Sequence, residues 1–290
     1  MTSTSLRHLR HLPRQLPVVA SFGRAVITGM RGGGHTLAGA HAEKTIAPID
    51  PRLIRDYVAH VGGDPAAYKT TVPPHLFPQW GLALAARTLT GLRYPLLRVL
   101  NAGCRLEINA PLPSGQPLVA RASLVAVDDD GQRAALTQRV ATGTSEVPDS
   151  VVATIRAVVP LAPSSKPRAR TEIPYDVREL ARWQLGRDAG LAFALLTGDF
   201  NPIHWVHRAG VAAGFGGPIL HGFAMLARSI EGVVRARFAG DITRVRAWDV
   251  RFTRPLRLPA HVALFGRGDE AWLGDAPGGA PYLALAMEPV

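Results

Sequence analysis

The stretch RLEINAPLPSG at residues 105–115 has a counterpart, DVRFTRPLRLP, 144 positions later at residues 249–259. In both stretches apolar and polar residues alternate before a Pro-Leu turn, which is typical of a β-strand with one buried face. Leu106 aligns with Val250 at this offset. A second strand-like run follows each stretch, so the two regions predict equivalent pairs of strands.

The same offset relates two longer segments that precede these strands. HLFPQWGLALAARTLTG (75–91) aligns with ILHGFAMLARSIEGV (219–233), and both predict a long helix with one apolar face. Further upstream, YVAHVGGDPAAY (57–68) matches AFALLTGDFNPIH (192–204) at an offset of 135. Three matches in one order predict a duplicated unit. The expected fold is α+β, with two repeats that each wrap an antiparallel sheet around a long central helix.

Composition changes along the chain predict four regions. Residues 1–44 form a basic N-terminal segment followed by a flexible connector. The segment is basic because no acidic residue occurs before Glu43. The first repeat spans 45–160, the Pro- and Arg-rich stretch 161–174 is a linker, and the second repeat spans 175–290. The basic segment has the composition of a transit peptide, but a helix lying on the protein surface is the favoured interpretation.

The bulk composition excludes several classes of protein. The 290 residues carry a net charge of +11, which favours a phosphate-bearing partner. Aromatic residues are sparse and no basic recognition helix is evident, so nucleic-acid binding is not expected. Cys104 is the single cysteine, which predicts a reducing, cytoplasmic compartment and no zinc site of cysteine type. The apolar run LPVVASFG is too short to span a membrane.

Candidate catalytic residues lie in LLTGDFNPIHW at residues 195–205. Asn201 suits the cap of a helix and Pro202 suits its first position, which leaves Asp199 just before the helix and His204 in its first turn. A carboxylate and an imidazole in this arrangement are able to hold and deprotonate one water molecule. The alternative interpretation is a capped helix in which His204 is only a partly buried polar residue.

A second motif, HGF at residues 221–223, follows downstream. Gly222 opens the long apolar helix, where free amides and the positive end of the helix dipole are able to stabilise an oxyanion. The equivalent position of the first repeat is Pro78, which has no amide hydrogen. Asp64 matches Asp199, but Lys69 stands where the second repeat has its histidine. The sequence therefore predicts one working site per chain.

The segment TGDFNPIHW…AGFGGPILHGFAMLA resembles the signature of MaoC-like dehydratases, the (R)-specific enoyl-CoA hydratase group with the hot-dog fold. The first half resembles the degenerate N-terminal repeat of double hot-dog members, and LPRQLPVVASFGRAV resembles a leader of bacterial proteins of that kind. The resemblance implies a hydro-lyase that interconverts trans-2-enoyl and (R)-3-hydroxyacyl thioesters of coenzyme A or acyl carrier protein, without metal or cofactor. It further implies that Asp199 and His204 are the catalytic pair, that Asn201 orients them and that Gly222 binds the oxyanion.

Three further residues are expected to contact the substrate. His221 orients the turn before the helix, Phe223 lies beside it, and Trp205 narrows the pocket. The first repeat, which lacks the chemical groups, is expected to shape a tunnel for the acyl chain. Which of Asp199 and His204 acts as acid and which as base stays open, as does the choice between a monomer and a homodimer.

Two other functions compete with this interpretation. A hot-dog thioesterase would use a differently placed carboxylate. A non-catalytic binder of acyl thioesters would keep the pocket and lose the chemistry, which the complete set of candidate residues argues against.

Overall fold

The computed structural model describes residues 3–15, 40–95, 99–162 and 171–290. Within them the helices are α1 (Ser3–His8), α2 (Pro51–Val61), α3 (Pro78–Thr88), α4 (Ala189–Thr197), α5 (His207–Ala212) and α6 (Gly222–Arg237). Short 3-10 helices include Leu9–His11, Pro65–Tyr68, Pro74–Leu76, Pro202–His204 and Ile242–Arg244. Most of the predicted connector and of the linker at 161–174 lie outside the described residues, so those boundaries stay predictions.

Most of the strands form one antiparallel sheet of ten, in the order β1-β5-β6-β7-β3-β9-β12-β11-β10-β8. The strands in chain order are β1 (His41–Ile46), β2 (Thr71–Val72), β3 (Leu100–Ile108), β4 (Leu112–Pro113), β5 (Leu118–Asp129), β6 (Arg133–Gly143), β7 (Val151–Pro160), β8 (Arg178–Leu185), β9 (Val245–Phe252), β10 (Ala260–Arg267), β11 (Glu270–Gly274) and β12 (Leu283–Pro289). β2 and β4 pair separately.

The sheet order confirms the duplication predicted from the sequence. Read outward from the centre, one half runs β3-β7-β6-β5-β1 and the other runs β9-β12-β11-β10-β8, so each strand has its equivalent in the same position. Helix α3 packs on β1, β5 and β6, and helix α6 packs on the equivalent strands β8, β10 and β11. Each half is therefore a sheet wrapped around one helix.

The two halves join where β3 pairs with β9. Leu106 lies opposite Trp248, and Arg105 lies opposite Asp249. Asp249 is also the residue that aligns with Arg105 at the offset of 144. The approximate two-fold axis that relates the halves therefore passes between these two residues. Arg156 of the neighbouring strand reinforces the seam, since its guanidinium lies 2.7 Å from the Asp249 carboxylate.

A buried polar cluster ties the first half to helix α6. The Tyr68 hydroxyl donates to a carboxylate oxygen of Glu231 at 2.7 Å, and His75 Nε2 lies 2.9 Å from the same oxygen. Tyr57 donates to the backbone carbonyl of His75. Because a buried carboxylate needs such partners, the first half contributes directly to holding the helix that begins at Gly222.

Residues 41–44 were expected in a flexible connector, and this prediction is wrong for them because they belong to β1. The strand pairs with β5 at the edge of the sheet, and only Ala42 and Ile46 of its side chains are buried. An edge strand with charged residues on its exposed side shows weak alternation of apolar and polar residues. The sequence HAEKTI therefore carries little of the pattern by which strands are predicted.

Candidate active site

The loop that carries Asp199 begins where helix α4 ends. The sequence AGLAFALLT is buried along almost its whole length, as its lack of polar residues requires. Gly198 ends the helix in the left-handed region, with φ of +82°, a conformation that glycine adopts without steric cost. The chain then turns sharply, and Asp199 emerges half-buried from a rigid apolar helix.

Asn201 and Pro202 shape the next turn as the sequence predicts. The Asn201 side chain accepts a hydrogen bond from the amide of Ile203 at 3.3 Å, and Pro202 takes the first helical position. The helix is a single 3-10 turn, Pro202–His204. This tight turn brings His204 back towards Asp199, whose carboxylate accepts from the Asn201 amide at 3.3 Å.

His204 is held in one tautomer by the backbone. Its Nδ1 lies 2.8 Å from the carbonyl oxygen of Ile219, so Nδ1 carries the hydrogen and donates it. The other nitrogen, Nε2, is left with a lone pair. Burial lowers the pKa of His204, although the Asp199 carboxylate opposes the shift. The imidazole is therefore a neutral proton acceptor at physiological pH.

His221 braces both members of the predicted catalytic pair. Its Nε2 donates to the backbone carbonyl of Asp199 at 2.9 Å, and its ring stacks on His204 with the centroids 3.6 Å apart. The ring is 1% exposed, and burial together with the His204 ring lowers its pKa to about 3. His221 therefore contacts the loop that carries Asp199, and its part in orienting the turn before α6 stays a prediction.

Asp199, His204 and His221 together form a compact cluster, since one ligand-type atom of each lies within 4.8 Å of the others. This donor set occurs at metal sites, but here the two imidazoles are stacked, with 25° between their planes. Their in-plane lone pairs cannot converge on one ion without rotation of a ring. The observed arrangement is suited to holding a hydrogen-bonded molecule.

Gly222 begins helix α6 and follows directly on His221. The first amides of a helix have no acceptor within it, so the Gly222 N–H is available beside the cluster. A Cβ atom at this position would lie 3.1 Å from the ring of Phe252. A larger residue here would therefore need the Phe252 ring to move by a few tenths of an ångström, and glycine leaves the backbone more open.

Of the two other predicted contact residues, Trp205 is 39% exposed and donates from its indole to the Phe200 carbonyl. It covers the outer side of the loop. Phe223 is buried and packs edge-to-face against Phe77 and Phe252, with centroids 5.2 and 6.0 Å away. Sequence reasoning missed these two partners, although Phe77 aligns with His221 at the offset of 144 and could have been found from the repeat.

The first half repeats the backbone of this site without its chemistry. Asp64 accepts from the amide of Ala66 at 2.9 Å, much as Asp199 accepts from the amide of Asn201, but Asp64 itself caps a 3-10 helix, Pro65–Tyr68. Pro78 takes the first position of α3, where the second half has Gly222. No histidine corresponds to His204.

The buried histidines predict a marked loss of stability in acid. Since burial lowers the pKa of His204 and His221 below 6.5, the unfolded chain binds more protons than the folded chain in acid. The free energy of unfolding is expected to fall by a few kcal/mol as the pH drops from about 6.5 towards 3, and to be independent of these groups above that range. Urea unfolding at several pH values measures this.

A matched pair of variants assigns the effect to His221. His221→Gln keeps an N–H donor for the Asp199 carbonyl but cannot titrate, so its stability should depend less steeply on pH. His261→Gln removes an exposed histidine and should leave the slope unchanged. An identical slope in His221→Gln and the parent chain would contradict the assignment.

Comparison with known proteins finds a family match that lies mainly in the second half of the chain. Residues 161–265 match the family model of the MaoC like domain. Enoyl-CoA hydratase 2, peroxisomal, from Arabidopsis thaliana is 28% identical over 179 residues, which are 57% of this chain and 58% of that protein. Enoyl-CoA hydratase ChsH3 from Mycobacterium tuberculosis is 25% identical over 222 residues, 66% of this chain and 73% of that protein. The chain thus matches little more than half of the Arabidopsis relative.

Solved structures agree on the fold. HtdX from Mycobacterium tuberculosis superposes with a TM-score of 0.69 at 19% identity, over 85% of this chain and 99% of that one. A further protein of that organism, described as having a double hotdog fold, gives a TM-score of 0.56 at 14% identity, over 87% and 95% of the two chains. The double hot-dog fold is therefore confirmed, and the family match at residues 161–265 confirms the resemblance to MaoC-like dehydratases for that part of the chain.

Proposed function

We propose, from the MaoC-like domain at residues 161–265, that this chain is a hydro-lyase that hydrates trans-2-enoyl-CoA thioesters reversibly to (R)-3-hydroxyacyl-CoA thioesters. The observation that carries the proposal is the cluster of Asp199, His204 and His221 immediately before the N-terminus of helix α6. The names of the two curated relatives support the activity and the coenzyme A thioester as substrate.

In the proposed reaction one water molecule binds between the Asp199 carboxylate and His204 Nε2. The neutral imidazole accepts one proton from the water molecule while the water oxygen bonds to C3 of the enoyl group. Asp199 accepts a hydrogen bond from the other water hydrogen and stabilises the imidazolium that forms. His204 then returns the proton to C2, so water is consumed and the enzyme is unchanged.

Negative charge develops on the thioester oxygen during this addition. The Gly222 N–H, at the positive end of α6, donates to that oxygen and stabilises the charge. Asn201 keeps the tight turn that sets the distance between Asp199 and His204. His221 fixes the Asp199 backbone, so each member of the cluster has a distinct part in the reaction.

The acyl chain is proposed to lie along Phe223, with Trp205 at the outer edge of the pocket and the first half forming the far wall. Arginine and lysine together outnumber the acidic residues, and arginine side chains are able to bind the phosphates of coenzyme A or an acidic acyl carrier protein. Within the described residues no helix is long and apolar enough to cross a membrane. The Arabidopsis relative is named as peroxisomal, so a cytoplasmic location for this chain stays a prediction, as does a monomeric or dimeric state.

The test is to incubate the chain with crotonyl-CoA and with a longer trans-2-enoyl-CoA. Loss of enoyl absorbance without release of free thiol is the expected result, and chiral analysis of the product should give the (R) alcohol. Release of thiol would instead identify a thioesterase. Tight binding without turnover would identify a non-catalytic binder. The same acyl groups on acyl carrier protein show which carrier the chain prefers.

A further inference from the structure

Residues 8–15 lie across helices α2 and α4, and we call them the N-terminal clamp. The side chains of His8, His11 and Gln15 are buried. On one side the clamp is attached to α2 through polar contacts with carboxylates: His11 Nε2 lies 2.6 Å from Asp56, to which Arg10 also donates. Arg14 lies 2.8 Å from Asp50.

On its other side the clamp reaches the last turn of α4. The amide nitrogen of Gln15 donates to the backbone carbonyls of Leu195 at 3.3 Å and Leu196 at 3.1 Å. Gln15 is fully buried. A single side chain therefore supplies hydrogen bonds to two consecutive carbonyls at the helix end.

These two carbonyls are among those that the end of α4 leaves without helical partners. In a continuing helix they would accept from the amides four residues later, which are those of Asp199 and Phe200. The turn at Gly198 removes both amides, and the Phe200 amide donates to the Gly198 carbonyl instead. Gln15 takes the place of the two missing donors.

We infer that Gln15 is a positioning residue for Asp199. By satisfying the carbonyls of Leu195 and Leu196, its amide makes the end of the helix at Thr197 stable, and the chain is free to turn so that Asp199 faces His204. This inference rests on the proposed function, because positioning matters to a reaction in which Asp199 takes part. His221 holds the Asp199 carbonyl from the opposite side.

Without the Gln15 amide, two buried carbonyls would lose their donors, which is costly in an apolar interior. The loop would regain hydrogen bonds by extending α4 through the Asp199 and Phe200 amides. Such an extension rotates the Asp199 side chain away from His204. Since substrate contacts lie elsewhere, the change should act on kcat and leave KM nearly unaltered.

The variant that tests this is Gln15→Met, which keeps the length of the side chain and removes the donor. Hydration of crotonyl-CoA is expected to show a kcat about 10- to 100-fold lower, with KM within about twofold of the parent value. Arg14→Ala is the matched control. It removes a half-exposed side chain of the same clamp that pairs with Asp50 and not with α4, and it should leave kcat unchanged.

Hydrogen exchange of the full chain gives a readout that does not depend on activity. In Gln15→Met, the amides of Asp199 and Phe200 are expected to exchange more slowly, because the extended helix protects them, while the core strands β3 and β9 keep their rates. If the parent chain fails to hydrate any enoyl thioester, the proposed function fails, and exchange still tests the role of Gln15. Unchanged exchange at 198–200, or equal changes throughout the chain, would overturn the inference.

Gln15→Asn is the variant that tests the inference if Gln15→Met does not fold. It keeps the amide on a side chain one methylene shorter, so a smaller change in kcat and in exchange at residues 198–200 is expected. An asparagine variant that matches the parent in kcat while its exchange at 198–200 is altered would also contradict positioning by Gln15.

Discussion

Asp199→Asn is expected to hydrate crotonyl-CoA with a kcat about 10²- to 10⁴-fold below that of the parent chain. Asparagine has nearly the same shape and its side-chain oxygen can still accept from the Asn201 amide, as the carboxylate does. It lacks the negative charge that stabilises the imidazolium of His204 when the water proton is transferred. Steady-state rates at saturating substrate measure the effect on the chemical step.

The first half provides the matched control for this variant. Asp64 makes the same local hydrogen bond, accepting from the amide two residues later, but Lys69 stands at the position that matches His204. Asp64→Asn should therefore keep the parental kcat. Equal losses in the two variants would show that the carboxylate acts through the backbone turn, and an active Asp199→Asn enzyme would remove Asp199 from the catalytic pair.

Gly222→Pro is expected to lower kcat by about 10²- to 10³-fold, because it deletes the amide assigned to the thioester oxygen. The substitution suits the helix: proline is favoured at the first helical position, and α3 begins with Pro78 in the same place. His221, the residue before it, has φ of −57° and ψ of 139°, which a following proline permits. Parental helix content by circular dichroism should accompany the loss of activity.

Gly222→Ala separates the lost amide from the added carbon atoms. Alanine keeps the N–H, but its Cβ would lie 3.1 Å from the Phe252 ring, which must yield by a few tenths of an ångström. A loss of only about tenfold or less is expected for it. The ratio of kcat for Gly222→Ala to kcat for Gly222→Pro then measures the contribution of the Gly222 amide to the reaction rate. If alanine and proline reduce kcat equally, steric contact with Phe252 explains both, and the oxyanion role of Gly222 is refuted.

The parts of the site that sequence predicted correctly are local. Asn201 before Pro202 specifies a cap through contacts that span two residues, and the structure has that cap. Gly222 at the start of an apolar run specifies a helix N-terminus, and α6 begins there. Short-range steric and hydrogen-bonding preferences decide such features, so they can be predicted from neighbouring residues alone.

The parts that sequence could not predict depend on residues far apart in the chain. Gln15 meets Leu195 across 180 positions, and Tyr68 meets Glu231 across 163. The tautomer of His204 depends on the carbonyl of Ile219, and the stacking of His221 follows from the path of the whole loop. Strand β1 could not be predicted either, because its apolar and polar residues alternate only weakly. Its position at the edge of the sheet decides which of its side chains are buried.

The sequence by itself determined the duplicated α+β architecture, and it predicts candidate catalytic residues in the second half that the first half lacks. This is possible because strand alternation, helix periodicity and helix caps depend on short patterns of residues that recur along the chain. Only the tertiary structure decided which nitrogen of His204 is free, what braces Asp199 and how the first half holds α6. Those properties arise from burial and from hydrogen bonds between distant segments, which exist only once the chain has packed.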